Sequence, residues 1–186
     1  MFRARWFAAA ALAAALACNA AAAQQQYLYV WTAGVDGQGD GSDKLVTVDV
    51  TRRSDRYGRI VHTLSVGGRG ELASLGLTLD GRGLRAARAS DGRIFEFDVG
   101  SDRSRPRLRR VTVGTAAGSA VADGAPREAR DDRRVFAAGV RLRDDPDPVH
   151  FGRAYERDGE ALTIAFEIDF RASRLGLPRA VMLLGP

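Results

Sequence analysis

Beyond residue 24 the chain alternates apolar and polar positions in short runs closed by Asp or Gly. This is the period of a half-buried strand and not of a helix. In KLVTVDV (44–50), Leu45, Thr47 and Asp49 fall on one side and Val46, Val48 and Val50 on the other. In ALTIAFEIDF (161–170), Leu162, Ile164, Phe166, Ile168 and Phe170 share one side, with Ala, Thr, Ala, Glu and Asp opposite. No apolar stripe of useful length at helical spacing follows residue 24, so the chain beyond it is predicted to be all-β.

The runs repeat. LVTVDV closes at Asp49, IFEFDV at Asp98 and AFEIDF at Asp169. Each leads into a polar, Arg-rich turn and then an apolar strand ending in Gly67, Gly114 or Gly185. Asp49 and Asp98 are 49 residues apart, a period that with several short strands per unit predicts blade-like antiparallel sheets. Between the landmarks, Asp80-Gly81, Asp91-Gly92 and Asp123-Gly124 are tight-turn signals. The units fall at about 27–67, 68–114 and 115–186. Asp98 and Asp169 are 71 residues apart, and the excess is assigned to a hairpin insertion at about 141–159, closed by Asp158-Gly159. The expected fold is an incomplete β-propeller-like stack of about three such sheets. Three units fall short of the four or more of a closed ring, so exposed sheet edges are expected to favour self-association.

Residues 1–23 are set apart. Arg3 and Arg5 precede an apolar, Ala-rich run, and Ala21 and Ala23 form a small-x-small cleavage pattern. That is the layout of a secretory signal peptide, which places the remaining domain, 24–186, in the periplasm or outside the cell and off the membrane after cleavage. The alternative, a lipid anchor on Cys18, meets residues in the wrong order for the usual lipobox. Cys18 is the only cysteine. A chain cleaved after Ala23 therefore has no disulfide, thiolate metal site or cysteine nucleophile. The net charge of +5 comes almost entirely from arginine, with Lys44 the single lysine. The arginines are scattered among acids, as in REARDDRR (127–134), which reads as a solvated face and gives no nucleic-acid groove.

One resemblance covers about half of the chain. YLYVW, DKLVTVDVTRRSDRYGRIVHTLSVG, GEL and DGRIFEFDVGSDRSRPRLRRV, within residues 27–114, resemble the N-terminal region of the selenium-binding protein family. Some members of that family are methanethiol oxidases. The resemblance implies a β-propeller. For the oxidases it also implies copper on histidine ligands, redox-active cysteines, and conversion of methanethiol to hydrogen sulfide, formaldehyde and hydrogen peroxide. The family's Glu-Leu is followed by a His-His pair, but here ELASLGL puts Ala73 and Ser74 in those places, and the cysteine pair is replaced by LTLDGRG. A methyl group donates nothing to copper, and a hydroxyl is a poor substitute for imidazole.

The other candidates read as structure. His62 lies in an alternating strand, where packing or a hydrogen bond is its expected role. His150 stands near Asp144, Asp145 and Asp147 in a Pro-stiffened turn. Asp36, Gln38, Asp40 and Asp43 suggest a calcium loop, but Thr47 occupies the place of the closing bidentate Glu, so a loop before the strand is preferred. No residue is assigned a catalytic, cofactor-binding or metal role. The expected function is a non-catalytic, exported binding or assembly module without a cofactor. A copper-dependent, periplasmic methanethiol oxidase-like enzyme is the alternative, and a truncated gene product is a third reading.

Overall fold

The computed structural model describes residues 25–114, 128–140, 151–158 and 161–184. The predicted leader with Cys18, the Asp123-Gly124 turn, Asp144, Asp145, Asp147, His150 and Gly159 lie outside them. The described residues hold twelve strands and no helix. The strands are β1 (Tyr27–Ala33), β2 (Lys44–Asp49), β3 (Ile60–Ser65), β4 (Leu72–Leu77), β5 (Gly83–Arg88) and β6 (Arg93–Asp98), then β7 (Arg107–Val113), β8 (Glu128–Arg130), β9 (Arg134–Val140), β10 (Phe151–Asp158), β11 (Ala161–Asp169) and β12 (Leu177–Leu184).

They form three four-stranded antiparallel sheets, with orders β12-β1-β2-β3, β4-β5-β6-β7 and β11-β10-β9-β8. The second and third are simple meanders. The first is completed from the far end of the chain, because β12 pairs with β1 from Tyr27↔Leu184 to Ala33↔Leu177.

The first sheet lies between the other two. Tyr27, Tyr29, Trp31 and Leu45 pack against Leu75, Leu84, Phe95 and Phe97 of the second sheet. Leu28, Val30, Val46 and Val48 pack against Phe136, Ala138 and Ala154 of the third. Every residue of β2 and six of the seven in β1 are buried. The predicted alternation in β2 therefore holds, with Leu45 on one face and Val46, Val48 and Val50 on the other, and both faces are covered.

The repeated Asp is a local stop signal. Asp49 accepts the Thr51 N–H at 2.9 Å and the Ser54 hydroxyl at 2.8 Å. Asp98 accepts the N–H of Gly100 at 2.9 Å and the Ser101 hydroxyl at 2.6 Å. Asp169 accepts the Ala172 N–H at 2.9 Å. Each carboxylate satisfies the donors of the turn that follows its strand, which is why the phrase recurs. Asp49 and Asp98 also hold equivalent places, at the ends of third strands. Asp169 does not: it ends β11, the outermost strand of the third sheet, and its turn carries the chain back into the first sheet. The final apolar strand belongs to that first sheet and does not close the third unit. Phe151–Asp158, within the expected insertion, is the third strand of its own sheet.

The alternation predicted for β11 is broken as well. Ala154 pairs with Phe166 but Tyr155 pairs with Ile164, so Ala165 bulges. One extra residue moves all that precedes it to the opposite face. Phe166 and Ile168 pack inward, while Leu162 and Ile164 are 52% and 54% exposed.

Candidate functional site

Two buried arginines fasten the outer sheets to the central one. Arg88, at the end of β5, directs Nε and Nη2 onto the two oxygens of Asp91 at 3.0 and 2.7 Å. Its Nη1 donates to Asp43 Oδ2 and to the Gly67 carbonyl, both at 3.2 Å. The Asp91 carboxylate beside it raises the guanidinium above its ordinary value, and Arg88 in turn lowers Asp91. Arg134 plays the matching part at the start of β9. Its Nε donates to Asp131 at 2.8 Å, Nη1 to the Val50 carbonyl at 2.5 Å and Nη2 to Gln26 Oε1 at 2.6 Å. Burial opposes the charge on Arg134, but the hydrogen bonds to Asp131 and Tyr57 outweigh it and leave the group raised.

Where the second sheet meets the first, beside this Arg88 clamp, lies a cavity of about 550 Å³. Its walls include Gly34, Asp43, Arg69, Glu71, Leu72 and Arg179. The first sheet contributes Asp43, immediately before β2, and Arg179 from β12. The second contributes Leu72 from β4, and Arg69 and Glu71 stand on the link between β3 and β4. A volume of this size suits a small ligand. A second hollow of about 760 Å³ lies against the second sheet around Asp80, Arg82, Arg85, Glu96 and Asp98. Several of its charges are already engaged: Arg85 pairs with Glu96 at 2.7 Å, and Asp80 and Asp98 accept hydrogen bonds from their own turns.

The predicted loop aspartates do not converge on one point. Asp36 pairs with Arg69 at 2.6 Å, Asp40 with Lys44 at 2.6 Å, and Asp43 with Arg88 at 3.2 Å. Asp40 is held well below the ordinary carboxylate range by hydrogen bonds from Lys44, Ser42 and Ser65. His62 lies on β3 opposite Thr47, half-buried, on the row of the first sheet that also holds Tyr29. Among the described residues no group of three His, Cys, Asp or Glu side chains is placed to hold a metal.

Ala73 and Ser74 lie on β4, next to the cavity wall at Leu72. Leu72 pairs with Arg88 and Ser74 with Ala87, so Ala73 is the extra residue of a bulge. Sequence comparison identifies relatives of this framework. A methanethiol oxidase from a Hyphomicrobium species is 54% identical over 85 residues, which is 46% of this chain and 19% of the relative. The methanethiol oxidase of Ruegeria pomeroyi is 43% identical over 88 residues, 47% of this chain and 20% of the relative.

About half of the chain is homologous to methanethiol oxidase.

The match spans about a fifth of the length of each of these oxidases. No family model matches the chain. Among solved structures, a hypothetical selenium-binding protein from Sulfolobus tokodaii aligns with a TM-score of 0.41 at 14% identity, covering 87% of this chain and 49% of its own. A protein from Lactobacillus plantarum aligns with a TM-score of 0.27 at 14% identity, over 78% of this chain and 37% of its own. The copper set implied by the family resemblance does not fit the described residues. Ala73 supplies no donor atom and Ser74 only a hydroxyl. The one described histidine, His62, is on the outermost strand of another sheet.

Most of the cavity residues are inconspicuous in the sequence: Asp43 reads as one of the loop aspartates, Glu71 as the Glu of the Glu-Leu pair, and Arg69 as one of many scattered arginines. One signal was present: Arg179 is a lone charge in the otherwise apolar run LPRAVMLL.

Proposed function

We propose that this chain is a non-catalytic binding module, exported from the cytoplasm, on a propeller-like framework shared in part with the methanethiol oxidases. The observation that carries the reading is the β4 bulge, where Ala73 and Ser74 stand in place of the family's histidine pair, beside a cavity walled by guanidinium and carboxylate groups. Such walls recognise charge on a ligand. They offer copper no imidazole and no thiolate, the ligands that suit it. The sheets supply a rigid support, since the central one is buried on both faces and clamped by Arg88 and Arg134.

The test uses the purified chain. It is loaded with copper, passed through a desalting column, assayed for retained metal, and then given methanethiol while hydrogen peroxide is monitored. Retained copper at background level and no peroxide release are expected. Stoichiometric copper together with turnover would overturn the proposal and favour the oxidase-like alternative.

A further inference from the structure

Charges in the cavity wall fall into two groups. Asp43 is neutralised from behind, by Arg88 at 3.2 Å and by the Gly34 N–H at 2.9 Å, and is itself fully buried. Arg69 is turned onto Asp36 at 2.6 Å. This leaves Arg179 and Glu71, one cation and one anion. Both are exposed, both line the same cavity, and neither has an ion-pair partner among the described residues. They do not pair with one another, so the cavity separates two unanswered charges of opposite sign.

From this arrangement we infer that the cavity takes a small zwitterion, with the ligand's carboxylate on Arg179 and its ammonium on Glu71. The inference deepens the binding-module reading and rests on it. A guanidinium matches a carboxylate through two parallel N–H donors. A carboxylate accepts from an ammonium without a fixed geometry. A simple anion would satisfy Arg179 but face the charge of Glu71, and a simple cation would meet the opposite conflict. Only a ligand bearing both groups answers both walls. The apolar side of Leu72 is the part of the wall that a short methylene spacer would lie against. Because both anchors are solvated, binding is expected in the range of about 0.1–1 mM.

The probes are 4-aminobutanoate, butanoate and butylammonium, each titrated into the purified chain by isothermal calorimetry. Amide shifts of residues 33–34, 43, 69–72 and 179 are followed in parallel by NMR. The zwitterion is expected to bind about tenfold more tightly than either singly charged probe. Arg179→Ala should reduce it to the level of butylammonium, and Glu71→Ala to that of butanoate. The exchanged pair, Arg179→Glu with Glu71→Arg, should restore most of the loss. Since both side chains are exposed, the variants should keep the strand spectrum of the parent, and the exchanged pair reports on charge even if one single variant is poorly folded. No saturable binding of 4-aminobutanoate up to roughly 50 mM, well beyond the expected range, would overturn the inference. So would equal binding of butanoate, or indifference to both substitutions. Failure here leaves the copper result standing, and copper turnover would overturn the module reading whatever the titration gives.

Discussion

Replacing Arg88 with methionine keeps most of the volume and apolar stem of the side chain and deletes its charge. The guanidinium is 2% exposed and answers Asp43, which is fully buried, across the junction of the first and second sheets. Without it Asp43 keeps the Gly34 N–H at 2.9 Å but loses its only ion-pair partner among the described residues. Breaking one side of a buried pair costs about 3–5 kcal/mol, mostly from the charge left behind. The contact of the guanidinium with the Phe95 ring, 5.1 Å from the centroid, is lost too and belongs within that range. For a domain of this length the expected fall in Tm is about 6–20 °C. The decisive comparison is the double variant Arg88→Met with Asp43→Asn, in which the stranded charge is also removed. Urea denaturation followed by circular dichroism should show it recovering at least about 1.5 kcal/mol relative to the sum of the single variants. A single-variant cost below about 1 kcal/mol, or strict additivity, would refute the argument that this pair clamps the sheets.

Arg134→Met should destabilise the junction with the third sheet by a similar 3–5 kcal/mol or so, because Asp131, the Val50 carbonyl and Gln26 lose their shared donor. Urea midpoints again give the measurement. Gly58 has φ of +75°, and a Cβ there would come 2.8 Å from the Phe166 ring, so Gly58→Ala should cost about 1–3 kcal/mol by the same assay. Asp40, Asp91 and Asp98 all have lowered pKa values in the fold. Their contribution is present above the unfolded carboxylate value of about 3.9 and is lost as pH falls toward their folded values. Urea midpoints should therefore be level from neutrality to about pH 5 and drop below about pH 4, and Asp40→Asn should make that drop shallower.

The sequence made the strands and their stop signals legible because both are local. An alternating run shows a pleated surface, and an Asp followed by Ser or Thr shows a capped turn. The same locality explains the misplacement of Asp169, since its carboxylate caps a turn whether the strand is third or fourth in its sheet. Strand order depends on pairings such as Tyr27↔Leu184, between residues at opposite ends of the chain that carry no complementary mark. The bulge at Ala165 was hidden for another reason. It inserts one residue into a run whose alternation looks unbroken, and only the register with β10 shows that Leu162 and Ile164 have changed face. The departure from the histidine pair that the family resemblance implies is legible directly, because Ala73 and Ser74 are adjacent in sequence. The cavity is not, because Asp43, the link carrying Arg69 and Glu71, and Arg179 are three separate segments, the last of which arrives only when β12 enters the first sheet.

That placement of β12 supports both the framework and the ligand site, since it is what brings Arg179 to the cavity that Glu71 also lines. Backbone NOEs in the isotope-labelled chain test it most directly. Cross-strand contacts are predicted between Tyr27–Trp31 and Ala180–Leu184, in the antiparallel register Tyr27↔Leu184 through Trp31↔Ala180. Contacts of Ala180–Leu184 with β11 in their place, as a closing strand of the third sheet would make, would contradict the account.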